Sequence, residues 1–156
     1  MSNNTYRVLV VCMGNICRSP TAEAVVRAKA TDRGVALEID SAGTIGYHQG
    51  EQPDQRARAA GEARGYSFSG IRARQVVAND FERFDLILAA DKANLDDLQR
   101  ICPQQYQDKL GLFLDYSESG IVEIPDPYYG GVRGFEYVLD LIEEATDCLL
   151  EKISTR

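Results

Sequence analysis

Apolar residues occur along this chain as short continuous runs that alternate with longer stretches of helical repeat. The run Tyr6–Val11 is typical of a buried parallel strand. The stretch 19–33 repeats its apolar residues every three or four positions, which predicts a helix that ends at Gly34. The alternation continues with predicted strands at 37–41, 85–90 and 109–114 and predicted helices at 53–65, 91–101 and about 132–153.

This order of elements predicts the class of fold. Strands that alternate with helices form βαβ units, whose parallel strands lie in one sheet with helices packed against its faces. We therefore expect an α/β protein with a single doubly wound domain spanning 1–156, a four-stranded parallel sheet flanked by helices on both faces. Such sheets bind ligands beyond the carboxyl ends of their strands, where Cys12 and Ser41 are predicted to lie.

The loop after the first strand has the composition of an anion-binding loop. Cys12 ends the strand, and Gly14 and Asn15 are the residue types that best tolerate a left-handed backbone in a tight loop. Ser19 suits the N-cap of the following helix, and Pro20 suits its first position. The order predicts inward-facing backbone N–H groups at a helix N-terminus, which together bind an anion.

The same donors explain how Cys12 becomes a nucleophile. Only the thiolate form of cysteine reacts, and a free thiol is mostly protonated at neutral pH. Backbone N–H groups, a helix N-terminus and the Arg18 guanidinium all stabilise negative charge, so we expect Cys12 to react as a thiolate. The planar fork of Arg18 also fits two oxygens of a phosphate group. A merely buried, inert cysteine is the simpler interpretation, but it leaves the surrounding loop unexplained.

A second segment, far along the chain, supplies a carboxylate on a stiff loop. Asp126 lies between Pro125 and Pro127, which hold the backbone in a non-helical form. Tyr128 and Tyr129 follow directly. An aspartate beside aromatic residues suits a general acid that protonates a phenolate as it leaves a phosphate group.

Together the two segments resemble those of the low-molecular-weight protein tyrosine phosphatases. The resemblance covers essentially the whole chain, from Val8 to the C-terminal helix, and in that family the catalytic aspartate also lies near the C-terminus. It rests on the motifs V-C-M-G-N-I-C-R-S-P-T-A-E-A, D-S-A-G-T at 40–44, A-R-Q-V at 73–76, D-F-E-R-F-D-L-I at 80–87, D-K-A-N-L at 91–95 and D-P-Y-Y-G from 126.

The resemblance implies an enzyme that hydrolyses phosphotyrosine and other aryl phosphates without a metal or cofactor. Cys12 would form a phosphocysteine intermediate, and Arg18 would bind the phosphoryl oxygens. Asp126 would protonate the leaving group and then deprotonate the attacking water. The phosphate cradle would be formed by the residues Met13, Gly14, Asn15, Ile16, Cys17, Arg18 and Ser19.

The resemblance also implies residues that support the loop and residues that receive the substrate. Ser19 would donate a hydrogen bond to the Cys12 thiolate, and Asn15 and Ser41 would hold the loop in shape. The cleft for the aromatic ring would be walled by Tyr47, Tyr128 and Tyr129. The implied partners are phosphotyrosine-containing proteins, with inorganic phosphate and other oxyanions as inhibitors. The enzyme would act as a monomer or a weak homodimer.

The chain departs from the family pattern at two places. Many members carry a histidine that supports the phosphate loop, and Ile71 occupies that position here. Ala89 and Ala90 stand where a bulkier residue commonly precedes the aspartate aligned with Asp91. We therefore expect a different support behind the loop and altered packing before Asp91.

Charge and cysteine content exclude several other classes of protein. The net charge is −7 and the isoelectric point is about 4.7, which disfavours binding to nucleic acid. Four cysteines at 12, 17, 102 and 148 lack the paired spacing of a metal site. The polar N-terminus and the absence of a long apolar stretch predict a cytoplasmic protein with no membrane contact.

Three residues near the loop leave alternatives open. Cys17 is either a small packing residue or a resolving thiol that forms a disulfide with oxidised Cys12. His48 is the only histidine, and we assign it no catalytic role because the loop already activates the thiol. Glu23 is expected to pair within the structure rather than to act on substrate.

Two other activities would use the same loop. Thiol-coupled arsenate reduction needs resolving cysteines after the third strand, where this chain has Ala89, Ala90 and Asp91. A binding module for phosphotyrosine without catalysis would not need both Cys12 and Asp126. The sequence therefore favours a phosphatase over both alternatives.

Overall fold

The computed structural model describes residues 5–127 and 131–155, apart from the side chain of Val132. The strands are β1 (Tyr6–Cys12), β2 (Leu37–Gly43), β3 (Leu86–Ala89) and β4 (Leu110–Leu112). The α-helices are α1 (Arg18–Arg33), α2 (Gln55–Ala63), α3 (Ala78–Arg83), α4 (Lys92–Ile101) and α5 (Gly131–Ser154). Short 3₁₀ helices at Gln104–Lys109 and Phe113–Tyr116 flank β4.

The four strands form one parallel sheet in the order β2-β1-β3-β4. Strand β1 therefore lies between β2 and β3, and its last residue, Cys12, is opposite Gly43 at the end of β2. The strand order reverses at β1, because β2 lies on one side of it and β3 on the other. A doubly wound sheet binds its ligand at such a reversal, so the fold places Cys12 where a ligand is expected.

Two apolar layers cover the two faces of the sheet because successive side chains of β1 point to opposite sides. Val8 and Val10 pack on one face with apolar residues of α1 and α5. Leu9 and Val11 pack on the other face with residues that include Phe81 of α3 and Leu98 of α4. The predicted α/β class, with a four-stranded parallel sheet and helices on both faces, is confirmed.

One strand is shorter than predicted, one helix was not predicted, and one helix ends where it was expected to end. The apolar run 109–114 forms a strand only over Leu110–Leu112, because the next residues turn into a 3₁₀ helix in which Asp115 Oδ2 accepts a hydrogen bond from Leu112 N at 3.0 Å. Helix α3 was not predicted, since its six residues are too few to show a helical repeat. Helix α1 ends as predicted, at Gly34, whose φ of 66° is left-handed.

Helix α1 begins at Arg18, so the predicted N-cap at Ser19 was wrong. Cys17 occupies the N-cap position, and its carbonyl accepts the first helical hydrogen bonds, from the N–H and the hydroxyl of Thr21. Pro20 is the third residue of the helix, where its missing N–H still costs no helical hydrogen bond. The Ser19 hydroxyl makes contacts inside the loop instead of capping the helix.

Within the described ranges 5–127 and 131–155, no helix combines the length and the apolar character needed to cross a membrane.

Candidate active site

A pocket of about 390 Å³ opens at the carboxyl end of β1. It brings together three residues predicted to be catalytic from distant parts of the chain, Cys12, Arg18 and Asp126. Its remaining walls are formed by Met13, Gly14, Ile16, Cys17 and His48. The predicted residues Asn15, Ser19 and Ser41 are buried behind this surface.

Three carbonyl groups of the loop between β1 and α1 accept hydrogen bonds from neighbouring segments. Cys12 O accepts a hydrogen bond from Thr44 N at 2.9 Å, and Met13 O accepts one from Ile45 N at 3.1 Å. Ile16 O accepts from the N–H of residue 54 at 2.7 Å. None of these contacts uses the amide N–H groups of the loop. This arrangement supports the predicted cradle of N–H donors next to the helix N-terminus.

Asn15 has the left-handed backbone that the loop requires, with φ of 58°. The same expectation for Gly14 was wrong, because Gly14 does not have a positive φ. Gly14 instead allows His48 to approach closely, since a Cβ there would lie 3.1 Å from His48 Cδ2. Only one of the two central residues therefore provides the left-handed turn.

The end of β2 at position 43 has no room for a side chain, which explains the glycine after Asp-Ser-Ala. A Cβ on Gly43 would lie 2.7 Å from Met13 O and 3.2 Å from Asn15 Cβ. Contacts this short would push the loop out of place. The end of β2 thus acts as a flat support against which the loop rests.

The thiol of Cys12 contacts a hydroxyl within the loop. Its Sγ lies 3.0 Å from Ser19 Oγ, and both residues are buried. Ser19 Oγ accepts a hydrogen bond from Asn15 Nδ2 at 2.8 Å. Its own proton can be donated to Cys12 Sγ at 3.0 Å or to Ala42 O at 3.4 Å, and the thiol is the nearer of the two. A hydroxyl held in this way stabilises a thiolate by charge-assisted hydrogen bonding.

Asn15 connects the loop to two other segments. Its Nδ2 also donates to Ser41 Oγ at 3.0 Å, and its Oδ1 accepts from the backbone N of Arg74 at 2.9 Å. Ser41 Oγ donates in turn to Glu23 Oε1 at 2.6 Å, and Glu23 pairs with Arg27 at 2.5 Å. The expected internal pairing of Glu23 is therefore present.

Burial raises the pKa of the Glu23 carboxyl, although the hydrogen bonds from Ser41 and Arg27 partly offset the effect. Ile71, at the position of the familial histidine, is buried in a small apolar cluster with Ala24 and Phe68. In this chain the contacts behind the loop are made by the Arg74 backbone, which donates to Asn15, and by Ser41, which contacts Asn15 and Glu23.

The segment that carries Arg74 is itself anchored by charge. The Arg74 guanidinium contacts Asp80 at 3.0 and 3.1 Å and Asp40 at 3.1 Å. Burial lowers the pKa of Arg74, but the two carboxylates raise it further than burial lowers it, so the cation is retained. Three of the motifs that carried the family resemblance therefore meet behind the loop.

Arg18 is 7% exposed and is fixed from one side. Its Nη1 donates to Asp91 Oδ2 at 2.8 Å and to Ile124 O at 3.0 Å. Burial lowers the pKa of Arg18, while the hydrogen bond to Asp91 and the charges of Cys12 and Asp126 raise it, with a net rise.

Asp91 is a site residue whose contact with Arg18 sequence reasoning missed. It follows β3 almost directly and caps helix α4 by accepting from Asn94 N at 2.8 Å. An aspartate at the carboxyl end of a strand next to β1 was the signal that could have identified it.

The second cysteine of the loop differs from Cys12. Burial raises the pKa of the Cys17 thiol to about 12, and the charges of Asp54, Cys12 and Asp126 add to the effect. Cys17 therefore stays protonated at neutral pH, and it is not a nucleophile in that state.

The rim of the pocket is open. Asp126 is exposed, and Tyr47 is 81% exposed with its ring set edge-on to His48 at 4.8 Å. His48 forms part of the pocket wall and contacts Glu51 Oε1 through Nδ1 at 3.1 Å. Tyr128 and Tyr129, predicted to wall the cleft, lie outside the described residues.

Fold and site together define a class of enzyme. A thiol at the base of an anion loop, an arginine fork beside it and a carboxylate at the pocket mouth are the groups that a cysteine-dependent phosphatase requires.

Comparisons with known proteins identify the family. The family model for low molecular weight phosphotyrosine protein phosphatase matches residues 7–156. A low molecular weight protein-tyrosine-phosphatase of Streptomyces coelicolor is 44% identical over 155 residues, which cover 96% of this chain and 94% of that protein. The human low molecular weight phosphotyrosine protein phosphatase is 41% identical over 152 residues, which cover 95% of this chain and 96% of that protein.

A solved structure agrees with these relatives. The crystal structure of a protein tyrosine phosphatase from Entamoeba histolytica superimposes with a TM-score of 0.93 at 42% identity, covering 97% of this chain and 98% of that one. This chain belongs to the low molecular weight phosphotyrosine protein phosphatase family, and it is a protein-tyrosine phosphatase. The resemblance found in the sequence is confirmed.

Proposed function

We propose that this enzyme hydrolyses phosphotyrosine in proteins, and aryl phosphates in general, through a phosphocysteine intermediate on Cys12. The observation that carries the proposal is the single pocket in which Cys12, Arg18 and Asp126 meet. No metal or cofactor takes part in the proposed reaction.

In the first step, the Cys12 thiolate attacks phosphorus while the bond between phosphorus and the phenolic oxygen breaks. Asp126 gives its proton to the departing oxygen, which leaves as a phenol. The guanidinium of Arg18, held by Asp91 and Ile124 O, and the loop N–H groups bind the three remaining phosphoryl oxygens.

In the second step, water attacks the phosphocysteine and gives a proton to the Asp126 carboxylate. The bond between phosphorus and sulfur breaks, and inorganic phosphate forms. Ser19 stabilises the Cys12 thiolate as it leaves, through the 3.0 Å contact between Oγ and Sγ. The enzyme returns to its starting state with Asp126 protonated.

The rim determines which phosphate esters are accepted. Tyr47 favours a phenolic leaving group over an aliphatic one, since aromatic side chains pack against an aromatic ring. The family resemblance implies the same preference for Tyr128 and Tyr129, which lie outside the described residues. Inorganic phosphate and other tetrahedral oxyanions compete for the same loop and inhibit the enzyme. The substrate class is therefore phosphotyrosine-containing proteins.

The comparisons do not favour arsenate reduction. All the relatives compared above are named as tyrosine phosphatases. The segment after β3 continues with Ala90 and Asp91, and the nearest cysteine downstream is Cys102.

The proposal is tested by turnover of p-nitrophenyl phosphate and by mass spectrometry of the quenched enzyme. We expect Cys12→Ser to lower kcat by at least about 10⁴-fold, as loss of a nucleophile does in other enzymes. Asp126→Ala should lower kcat by roughly 10²–10⁴-fold, the usual contribution of a general acid.

Cys148→Ser is the matched control, because Cys148 lies on α5 away from the pocket lining and its loss should leave kcat unchanged. Phosphate should be found on residue 12 in the wild type. Full activity in Cys12→Ser, or turnover with no phosphate ever detected on residue 12, would refute the mechanism.

A further inference from the structure

A second cavity of about 380 Å³ adjoins the catalytic pocket. The two share Met13, Arg18 and Asp126 as walls, so they are neighbours on the same surface. The second cavity extends from there over the start of α4 and the segment before Asp126. We call it the acidic subsite.

The acidic subsite carries a net negative charge. Its walls include four carboxyl groups, those of Asp91, Asp97, Glu123 and Asp126, and one cation, Arg18. Asp91 is paired with Arg18 at 2.8 Å, and Asp126 holds a proton when substrate binds in the proposed mechanism, so Asp97 and Glu123 supply the net charge.

An unsatisfied polar group gives an independent indication of a ligand. Asn94 forms part of the wall, is only 3% exposed, and its Oδ1 has no hydrogen-bond partner among the residues that the structure describes. A buried amide oxygen without a partner is unfavourable, and a hydrogen-bond donor on a ligand removes that cost. The unsatisfied oxygen therefore belongs to a residue of this wall.

The carboxylates of the wall keep acceptor capacity after their internal contacts. Glu123 Oε2 accepts from Lys92 N at 2.9 Å, and Asp97 Oδ1 pairs with Arg100 at 3.0 Å near the surface. Each carboxylate has about four lone-pair positions, so these contacts leave several unused. A lysine ammonium or an arginine guanidinium has several donors, no acceptor and a positive charge, which matches such a wall.

We propose that the acidic subsite binds a lysine or arginine side chain of the substrate, close to the phosphotyrosine. The inference rests on the proposed function and specifies its substrates, which are phosphotyrosine sequences with a basic flanking residue. The shared wall at Met13 and Asp126 puts the subsite within reach of a polypeptide whose phosphate occupies the Cys12 loop. The basic residue also offsets the repulsion between an acidic enzyme and a phosphorylated peptide.

The experiment measures kcat/KM for a series of phosphotyrosine peptides. Each peptide carries one lysine at a position from three residues before to three residues after the phosphotyrosine, and its partner has norleucine there. Norleucine keeps the chain length without the charge. At the best position we expect a ratio of roughly fivefold in favour of lysine, the size of one or two partly exposed ion pairs. Addition of 0.5 M NaCl should reduce this ratio.

The variant Asp97→Asn combined with Glu123→Gln should bring the ratio to about one. Activity toward p-nitrophenyl phosphate should stay at the wild-type level, because neither residue lies in the catalytic pocket. Asp96→Asn is the matched control: Asp96 is exposed on the same helix and is not part of the wall, and the ratio should persist there.

Equal rates for lysine and norleucine peptides at every position would overturn the proposal. So would a lysine preference that survives in the double variant, or that falls equally in Asp96→Asn. These outcomes are independent of the phosphocysteine mechanism, which is tested by the Cys12 and Asp126 variants on a substrate without a peptide.

Discussion

The floor and the rim of the catalytic pocket are built in opposite ways. On the floor, Cys12, Asn15 and Ser19 are buried, and each side chain is held by hydrogen bonds to neighbours. On the rim, Tyr47 and Asp126 are exposed. The phosphoryl group is the same in every substrate, so a fixed floor suits it, whereas the rest of the substrate varies. Exposed side chains on the rim leave room for this variation.

Among the substitutions that test this contrast between floor and rim, Asn15→Ala on the floor is expected to have the largest effect. Asn15→Ala removes three hydrogen bonds and leaves the half-buried N–H of Arg74 without its partner. We expect kcat toward p-nitrophenyl phosphate to fall by roughly 10²-fold, because the loop loses its left-handed turn and its anchors. The free energy of unfolding should also fall, by about 1–3 kcal/mol. Urea denaturation and steady-state kinetics measure the two effects.

The exposed Asn79 on α3 provides the control for Asn15. Asn79→Ala removes the same side chain at a surface position outside the pocket lining, and both kcat and stability should remain near the wild-type values. If Asn15→Ala kept full activity, the floor would not depend on its hydrogen bonds and the comparison would fail.

The reaction of Cys17 with oxidised Cys12 is expected to depend on pH. As a resolving thiol, Cys17 would attack Cys12 sulfenic acid, form a disulfide and release water, and dithiothreitol would then restore both thiols. Its pKa is raised from 9.0 to about 12, so the attacking thiolate fraction grows with pH throughout the range below that value. We expect disulfide formation after peroxide treatment to become about tenfold faster per pH unit between pH 7 and pH 9.

The measurement is mass spectrometry of peroxide-treated enzyme, together with the recovery of activity in dithiothreitol. Cys17→Ser should recover poorly, since its sulfenic acid oxidises further. Recovery of Cys17→Ser as complete as that of the wild type would rule out the resolving role. A disulfide rate that does not change with pH would contradict the stated cause.

The smallest effect is expected on the rim. Tyr47→Ala removes a ring that is 81% exposed and contacts His48 edge-on. We expect KM for phosphotyrosine peptides to rise by less than about threefold with kcat unchanged, because an exposed aromatic contact contributes little. A loss comparable to that of Asn15→Ala, measured by the same kinetics, would show that the rim is as specialised as the floor.

Much of the fold could be predicted because its strands and long helices carry clear repeats. The run Tyr6–Val11 and the helix that follows needed only the pattern of apolar residues. The stretch 109–114 was misjudged because an apolar run looks the same whether it continues as a strand or turns into a 3₁₀ helix. The turn into the 3₁₀ helix is accompanied by the hydrogen bond from Leu112 N to Asp115, which a pattern of apolar residues does not reveal.

The residues of the site also fall into a group that the sequence could identify and a group that it could not. Cys12, Arg18 and Asp126 could be identified because their roles follow from chemistry near them in sequence. The hydrogen bond from the Arg74 backbone to Asn15, the contact of Asp91 with Arg18 and the position of His48 could not be predicted. Each depends on how separate segments meet in the folded chain, and periodicity carries no information about that meeting.

Gly43 limits how far the loop can be treated as a portable motif. The loop rests against a backbone that has no side chain at this point, and Asn15 relies on a main-chain donor 59 residues later in the chain. A grafted copy of residues 12–20 in another protein would carry every reactive group and still lack the surface that shapes it. Engineering this chemistry into a new scaffold therefore means transplanting the strand end at Gly43 and the Arg74 segment together with the cysteine.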